Sequence, residues 1–384
     1  MIKPNGKLKL LLAADTYYPK VDGVLMFMEE FMKRAQFHFT LSLLVPKFNA
    51  ARTPAQFKPV PTTFLDLSPR LRLLTYNSIR FSSRNRKRIS QAVQQADIIF
   101  IQELGPVGFL ALRAARRQGK KVLLYIHNTP WEFLEKYFSL NRLNAFLLRK
   151  FFVYWYNRAD RLLIPYPELE GELRKAGVQT SISVARLGVD IKRFFPTQRK
   201  SRWKKKLHLP PIPLIGYVGR ISKEKNTLLL LKAMPQLKRK ALLLMVGDGE
   251  ERLVQKFKGS SQCRVTGFIP NVEEYLKAID IFVMPSLTET TSLATLEALA
   301  SGLPVLVTKV GYPRRYIHHG QNGLFFPRRS ATVLAERIDQ LLADPTSAAR
   351  LGRQARRTAV SLFSWNRSIK TISKLILKTY TSYT

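Results

Sequence analysis

Two carboxylates, Glu289 and Glu297, bracket a run of hydroxyl residues and are the first candidates for chemistry in this sequence. Paired carboxylates suggest glycoside hydrolysis, which needs the two groups about 5 to 9.5 Å apart across one bond. Eight residues at the helical rise would separate them by roughly 12 Å, too far to serve one anomeric carbon. The spacing suits a long ligand held at both ends, such as a sugar and a ribose joined by a diphosphate. The alternative is one loop carboxylate and one exposed helical carboxylate without a shared role.

The elements around these carboxylates are predicted to be a strand, a polar turn, a helix and a second strand. Residues 281–285 form a continuous apolar run, which predicts a buried parallel strand. Thr290, Thr291 and Ser292 then offer N-cap side chains, and apolar residues recur at helical spacing from Leu293 onward. Free N–H groups and the positive end of the helix dipole would face this turn, which therefore predicts a phosphate site.

A second candidate site follows the apolar run at residues 212–218, which predicts another strand. The loop at residues 219–226 carries Arg220 and Lys225 just beyond the end of that strand. Two fixed cations can balance the charge of a diphosphate as its bond to a sugar breaks. In a chain this basic, an Arg/Lys pair can also be ordinary solvated surface, and its position at a strand end favours the clamp.

His127 directly follows the apolar run at residues 122–126 and is a third candidate. It is either a polar strand terminus or a site residue. No second His or Cys lies near enough in sequence to suggest a metal site, and no nucleophile elbow supports a Ser/His/Asp arrangement.

Composition favours a globular protein of the cytoplasm that is drawn to polyanions. The chain has 384 residues, enough for two domains, and a formal net charge of +38 that is spread over both halves. Its single cysteine, Cys263, excludes an internal disulfide framework, and no apolar run approaches the roughly 18 residues of a membrane-spanning helix. Such a charge would attract nucleic acid, an anionic leaflet or a phosphorylated substrate, unless it reflects only a basic proteome.

Short apolar runs alternate with helical stretches along the chain, which predicts an α/β fold with parallel sheets. We divide the chain into an N-terminal domain at residues 1–190, a C-terminal domain at 191–363 and a closing helix at 364–384. The first loop, at residues 15–24, leads into a helix that is expected to begin near Leu25. The last strand of the N-terminal domain is expected at residues 160–165.

Four motifs, in this order, resemble those of the retaining GT-B glycosyltransferases of family 4. They are the first loop with Gly23, the histidine after a strand, the loop with Arg220 and Lys225, and the acid pair. The resemblance implies two Rossmann-like domains that face each other across a cleft, with the closing helix crossing back to the N-terminal domain. The sequence departs from many relatives at Tyr312 and Arg315, where those relatives carry a glycine and an acid.

The resemblance also implies a role for each candidate residue. Glu289 would bind the hydroxyls of the donor sugar, Arg220 and Lys225 the diphosphate, and His127 would face the reacting centre. The implied donor-binding set comprises Gly23, Gly219, Gly267, Phe268, Thr290, Thr291, Ser292, Leu293 and Glu297, with Glu297 on the ribose. Asp22 and Tyr17, in the first loop, are assigned to the acceptor side.

The implied reaction transfers a hexose, with mannose or glucose expected, from a nucleotide-diphosphate sugar to a hydroxyl group. Family membership implies retention at the anomeric carbon. No carboxylate is placed as a covalent nucleophile, so we expect a same-face route in which the departing diphosphate takes the acceptor's proton. We expect no metal and no other cofactor.

Residues 143–156 are rich in aromatic side chains and are interrupted by Arg149 and Lys150, a mixture that suits the headgroup boundary of a bilayer. Such a helix can also simply pack on its own sheet. With the net charge, this stretch favours a lipid or lipid-linked acceptor and a peripheral position on the inner face of the membrane.

One alternative is a soluble sugar or polysaccharide transferase of the same fold. The other is a basic nucleic-acid-binding protein on an inactive scaffold, but no RNA-binding module or zinc finger supports it, and we expect no specific nucleic-acid partner. The oligomeric state stays open.

Overall fold

The structure is a computed structural model that describes residues 6–20, 22–48, 60–73, 76–127, 129, 131 and 141–382. The chain divides into two compact units. Unit 1 comprises Met1–Arg186 and Asn366–Thr384, and unit 2 comprises Leu187–Trp365. Each unit has its own parallel sheet with helices in the connections, as the alternation of apolar runs and helical stretches predicts.

Unit 1 is built on a seven-stranded sheet in the order β3-β2-β1-β6-β7-β8-β9, and every neighbouring pair in it is parallel. Its central strands are buried along almost their whole length, as expected for a parallel sheet covered on both faces. β4 and β5 form a separate antiparallel pair. The strands are β1 Leu8–Ala14, β2 Phe39–Pro46, β3 Thr62–Leu65, β4 Leu67–Leu73, β5 Tyr76–Ile79, β6 Ile98–Gln102, β7 Lys121–Tyr125, β8 Arg161–Ile164 and β9 Ile182–Val184.

The helices of unit 1 connect these strands and close the chain. They are α1 Gly23–Ala35, α2 Ser83–Gln95, α3 Pro106–Arg117, α4 Arg142–Tyr156 and α5 Glu168–Ala176, together with α14 Trp365–Thr381, which belongs to this unit from Asn366 onward. Among the helices that the structure describes, none combines the length and apolarity needed to cross a bilayer.

Unit 2 has a six-stranded parallel sheet in the order β12-β11-β10-β13-β14-β15. Its strands are β10 Leu214–Val218, β11 Leu242–Val246, β12 Cys263–Val265, β13 Ile281–Met284, β14 Val305–Thr308 and β15 Leu324–Phe326. Its helices are α6 Lys200–Lys206, α7 Leu228–Ala233, α8 Glu251–Lys258, α9 Val272–Ala278, α10 Leu293–Ala300, α11 Pro313–Tyr316, α12 Ala331–Ala343 and α13 Pro345–Leu362, with a 3₁₀ turn at Met234–Gln236.

Both sheets reverse their strand order once, between β1 and β6 in unit 1 and between β10 and β13 in unit 2. On either side of such a reversal the connecting helices lie on opposite faces, which opens a crevice at the carboxyl ends of the two strands. Ligands of open α/β sheets bind in this crevice. The topology therefore singles out the loops after β10 and β13, and after β1 and β6.

Two predicted elements need correction. Residues 160–165 are not the last strand of unit 1, because β9 at Ile182–Val184 pairs with β8 beyond them. Only three residues long, with a serine at its centre, β9 has too little apolar sequence to be recognised. The first helix begins at Gly23 rather than near Leu25, because Asp22 accepts hydrogen bonds from the backbone N–H groups of Val24 and Leu25.

Candidate functional site

The candidate site of unit 2 lies at its strand-order reversal. The loop after β10 carries Gly219, Arg220 and Lys225, and the loop after β13 carries Glu289. β10 and β13 are direct neighbours, with Ile215 aligned to Ile281 in the ladder. Because both loops leave the carboxyl edge of the same sheet side by side, they bring residues that are 64 positions apart into contact.

Lys225 and Glu289 form an ion pair, with 2.8 Å between Lys225 Nζ and Glu289 Oε1. The Ser286 hydroxyl donates to the same carboxylate oxygen at 2.8 Å. The Glu289 side chain is only 7% exposed and that of Lys225 is 24% exposed, so water screens their attraction only partly. The two residues that the sequence assigns to the sugar and to the diphosphate therefore touch each other directly.

The backbone of the Glu289 loop is fixed from the loop after β14. Gly311 has φ +55°, and a Cβ atom there would overlap the carbonyl oxygen of Glu289. The next residue, Tyr312, donates its N–H to the carbonyl of Thr290 at 3.0 Å. A glycine is therefore required at position 311, both for its backbone conformation and for its close approach to Glu289.

Arg220 lies at the start of the loop after β10. Its side chain is 60% exposed and forms an ion pair with Glu224. Its carbonyl accepts a hydrogen bond from the buried Tyr217 hydroxyl at 2.7 Å, which fixes the loop onto β10. Burial, with the charge of Glu289 adding to it, raises the pKa of Tyr217, so this phenol stays protonated and can donate. The Glu224 carbonyl accepts from Leu287 N–H at 2.9 Å and joins the two loops.

The start of α10 does not use the predicted N-cap chemistry. The helix begins at Leu293, and Ser292 has φ +59° and makes no side-chain hydrogen bond to the helix backbone. Its hydroxyl lies 2.8 Å from that of Thr295 instead. Thr291 is buried, and its carbonyl accepts from the Tyr316 hydroxyl at 2.9 Å. The predicted role of Thr290, Thr291 and Ser292 as caps is wrong, because the left-handed backbone at Ser292 turns the hydroxyl away from the helix N–H groups.

The estimate of roughly 12 Å between the two carboxylates also rested on a wrong assumption. It treated the whole stretch as helical, whereas Glu289 precedes the helix and Glu297 lies one turn inside it. Glu297 is half-buried on α10. The two residues remain on one strand-turn-helix unit, as predicted.

Three glycines line the carboxyl edge of β10, β11 and β12. Gly219, Gly247 and Gly267 all have positive φ, at +139°, +143° and +73°. A Cβ at Gly247 would overlap the carbonyl oxygen of Gly219, and Gly247 pairs with Gly267 in an isolated bridge. The backbones of these loops therefore pack directly against one another, without side chains between them. Phe268 follows with a side chain that is 64% exposed.

In unit 1, His127 lies at the carboxyl end of β7, next to the end of β6. It is buried, and its Nε2 lies 3.0 Å from Oε1 of Gln102. Because a carbonyl oxygen only accepts, Nε2 carries the proton and Nδ1 is the basic nitrogen. Burial lowers the pKa of His127 to about 3, and the ring stacks on Tyr125 at 4.3 Å between centroids. The imidazole is therefore neutral at physiological pH.

Asp22 orders the first loop of unit 1. Asp22 caps α1, accepts from the Thr16 hydroxyl at 2.9 Å and pairs with Lys20 at 3.3 Å. Gly23 is the first residue of that helix, and Tyr17 is buried edge-on against Phe64. Both predicted acceptor-side residues thus also have clear structural roles, Asp22 as a helix cap and Tyr17 as packing.

Asp15, at the end of β1, accepts from the backbone N–H groups of Val107 and Gly108 at 2.8 and 3.3 Å and so caps α3. Gly105 packs so closely that a Cβ there would overlap the carboxylate. Desolvation raises the pKa of Asp15 to about 6, against the two backbone hydrogen bonds, which lower it.

Sequence reasoning missed Ser286, Glu224 and Gln102, which hold Glu289, Arg220 and His127 in turn. Each lies within six residues of a strand end, but serine, glutamate and glutamine at such positions are too common to be a signal alone. Within the described parts of the chain, no three His, Cys, Asp or Glu residues come together in a group that could hold a metal ion.

Two family models match the chain. The model described as "Glycosyl transferases group 1" matches residues 199–358, and the one described as "Glycosyltransferase Family 4" matches residues 34–193. Among similar proteins, the lipopolysaccharide core biosynthesis glycosyltransferase LpsE of Rhizobium meliloti (strain 1021) is 28% identical over 259 residues, which cover 65% of this chain and 74% of LpsE. The GDP-mannose-dependent alpha-mannosyltransferase of Mycobacterium tuberculosis (strain CDC 1551 / Oshkosh) is 30% identical over 235 residues, which cover 60% of each protein.

The fold agrees with these matches. The solved structure of Anabaena Alr3699/HepE in complex with UDP superposes with a TM-score of 0.80 at 17% identity, covering 97% of this chain and 100% of that one. Two parallel-sheet units with this superposition define the GT-B fold, as the sequence predicts. Because the two family models together span residues 34–193 and 199–358, the chain belongs to glycosyltransferase family 4.

Proposed function

We propose that this glycosyltransferase takes a hexose from a nucleotide-diphosphate sugar and transfers it, with retention at the anomeric carbon, to a hydroxyl group of a membrane lipid or lipid-linked glycan. The names of similar proteins support the donor class. Anabaena HepE has been solved with UDP and with UDP-glucose, and the mycobacterial relative is named as GDP-mannose-dependent. Glucose and mannose are therefore the donor sugars to test first.

The Glu289 carboxylate carries the proposal. Its Oε1 accepts from both Lys225 and Ser286, whereas Oε2 accepts no hydrogen bond from the residues that the structure describes. A carboxylate fixed through one oxygen can accept from sugar hydroxyls with the other. Because Glu289 lies beside the loop that carries Arg220 and Lys225, at the strand-order reversal, it would bind the sugar end of the donor.

The two cations would act on the diphosphate. The Lys225 ammonium has three N–H donors, so it can keep Glu289 and still bind a phosphate oxygen. A phosphate group would compete with Glu224 for the exposed Arg220 guanidinium, which would then donate two parallel N–H bonds to the phosphate oxygens. Both charges would stabilise the leaving diphosphate as the glycosidic bond breaks. That diphosphate would take the acceptor's proton on the same face, which accounts for retention without a covalent enzyme intermediate.

His127, the side chain of unit 1 that is expected to face the reacting centre, would act without charge. His127 is neutral, with its proton held on Nε2, so it would accept or donate a hydrogen bond and would not act as a cation. We also propose that the reaction needs no metal ion, which predicts unchanged turnover in the presence of a chelator.

A panel of UDP-, GDP- and ADP-sugars tests the donor. Slow donor hydrolysis and thermal stabilisation are expected with one nucleotide base in preference to the others. The proposal fails if no nucleotide-sugar is hydrolysed or stabilises the protein. With the preferred donor, extraction of labelled product into organic solvent tests the lipid acceptor, and the NMR coupling constant of the new anomeric proton tests retention.

A further inference from the structure

The outward face of α4 in unit 1 is exposed and largely apolar, with the Lys150 ammonium lying over the Phe146 ring. Five side chains on this helix are between 44% and 64% exposed, namely Leu143, Phe146, Leu147, Phe151 and Tyr154. At 100° per residue they fall within one stripe along the helix. The opposite face packs on the sheet through Phe152, Val153 and Tyr156. One face of the helix thus packs in the core of unit 1, as one of the two predicted alternatives expects, and the other face is left exposed.

The stripe ends at a cavity lined mainly by arginines. This cavity, of about 520 Å³, lies between α3 and the end of α4 and is lined by Arg113, Arg116, Arg117, Trp155, Asn157 and Arg158. Phe109 of α3 packs against Trp155 and Phe151 with centroids 4.8 and 5.8 Å apart, which holds the two helices together at this point. The Arg158 guanidinium lies 3.4 Å from the centre of the Tyr154 ring, where the stripe meets the cavity.

The positive charge of this arginine cavity is not balanced. Arg116 approaches Asp160 at 3.9 Å, but that carboxylate already pairs with Lys121 at 3.1 Å. In the part of the chain that the structure describes, Arg113 and Arg117 have no ion-pair partner. Their i, i+4 spacing on α3 places like charges side by side, which destabilises a helix unless an anion lies between them. Arg113, Arg116 and Arg117 are all exposed at the cavity mouth.

An arginine cluster and an adjoining apolar stripe match the two parts of one ligand. A guanidinium group can bind phosphate through two parallel N–H···O bonds. Exposed Leu, Phe and Tyr side chains enter the boundary between lipid headgroups and acyl chains. We infer that the arginine cavity binds the phosphate headgroup of an anionic phospholipid while the α4 stripe enters the lipid surface. The inference deepens the proposed lipid acceptor by naming the surface that would hold the enzyme at its membrane, and in that respect it rests on the proposed function.

Vesicle flotation with the full-length protein tests the inference. The comparison uses phosphatidylcholine vesicles with and without phosphatidylglycerol, at low and moderate salt. Binding is expected only with phosphatidylglycerol. Arg113→Gln with Arg117→Gln should weaken it about thirtyfold, at roughly a tenfold loss per 1.4 kcal/mol, and should lower its salt dependence. Leu143→Ser with Leu147→Ser should weaken it on the order of tenfold with little change in salt dependence.

The matched control is Arg239→Gln with Lys240→Gln, which removes the same charge from exposed positions of unit 2. It should bind vesicles nearly as well as the unmodified protein. Equal losses in the control and the cavity variant would overturn the inference, because binding would then follow net charge alone. Unchanged vesicle binding by the cavity variant would overturn it as well.

Two further probes separate the lipid from other phosphate sources. If inorganic phosphate stabilises the protein through Arg113 and Arg117 while vesicles do not bind, the site is for a free phosphate and the inference is wrong. It is equally wrong if those arginines affect binding of a single-stranded oligonucleotide but not of vesicles. Donor hydrolysis by the cavity variant is expected to be unchanged. Its presence in a protein that does not bind vesicles would therefore leave the glycosyltransferase proposal intact.

Discussion

Lys225 Nζ lies 2.8 Å from Glu289 Oε1, although the two residues follow different strands of the unit 2 sheet. The pair joins the cation expected at the diphosphate to the carboxylate expected at the sugar. Since Ser286 binds the same oxygen of Glu289, the three side chains form one hydrogen-bonded network. A substitution at any of them should therefore affect the position of the others.

Lys225→Ala is expected to lower kcat by about a hundredfold or more, with a smaller change in KM, because it removes charge that acts mainly on the leaving diphosphate. Steady-state kinetics with the preferred nucleotide-sugar measures both constants. Lys223→Ala is the matched control, since Lys223 lies in the same loop with an exposed side chain. Full turnover by Lys225→Ala would exclude its assignment to the diphosphate.

Ser286→Ala tests whether the orientation of Glu289 matters. The substitution removes one hydrogen bond of 2.8 Å and leaves the Lys225 pair in place, so a loss of about fivefold to tenfold in kcat/KM is expected. A double-mutant cycle with Glu289→Gln measures the coupling. If the effects of the two substitutions simply add, Ser286 does not act through Glu289.

Gly311→Ala should displace the backbone of Glu289. The new Cβ would overlap the Glu289 carbonyl oxygen at a backbone φ of +55°, so both destabilisation by about 3 kcal/mol and a large loss of turnover are expected. Gly320→Ala is the control, because φ is +78° there but a Cβ would meet no atom within 4 Å. It should cost about 1 kcal/mol and spare activity. Chemical denaturation and turnover of both variants give the comparison, and equal behaviour would contradict the proposed contact.

The strand-end loops of unit 2 could be predicted from the sequence because buried parallel strands are continuous apolar runs. The runs before Arg220 and Glu289 correspond to β10 and β13. Their adjacency follows from the strand order, which local sequence does not encode. The direct ion pair could not be predicted, because the reach of a lysine side chain depends on where its loop returns.

The start of α10, in contrast, could not be predicted from local sequence. Three hydroxyl residues before an apolar helix satisfy the rules for an N-cap, yet Ser292 adopts φ +59° and its hydroxyl binds Thr295. Contacts from Gly311, Tyr312 and Tyr316 fix this turn, and these residues follow β14, later in the chain. Tertiary contacts have therefore overridden a local preference at the residues expected to bind the donor.

The pH profile of kcat/KM should contain no ionisation from His127. Burial lowers its pKa to about 3, so the imidazole remains neutral throughout the range in which an unperturbed histidine titrates. His127→Gln replaces one neutral hydrogen-bonding group with another whose polar atoms lie at different positions. It should therefore lower the rate roughly tenfold and leave the shape of the pH profile unchanged. If the variant loses a limb near the ordinary pKa of histidine, His127 titrates during catalysis and the neutral role is wrong.

Asp15 should make the protein less stable as pH rises. Its pKa is about 6 in the folded protein and near 4 in an unfolded chain, so between these values the folded state retains a proton that the unfolded state has lost. The free energy of unfolding therefore falls across this range, by up to about 3 kcal/mol. Asp15→Asn keeps an acceptor for the Val107 N–H without the charge, and it should flatten this part of the pH dependence and raise stability above pH 6.

Asp344→Asn gives a control of opposite sign. Asp344 caps α13 by accepting from Ser347 N–H at 3.0 Å, and the hydrogen bonds to Ser347 hold its pKa below the ordinary value. The contribution of the Asp344 carboxylate to the free energy of unfolding is present above the pKa of an unfolded aspartate. It is lost as pH falls through the lower pKa that this carboxylate has in the folded protein. Denaturant titrations of both variants and the unmodified protein, compared at each pH, isolate the two effects. If Asp15→Asn does not change how the free energy of unfolding varies between about pH 4 and 6, the Asp15 carboxylate is solvated in the folded protein, and its position at the start of α3 does not exclude water.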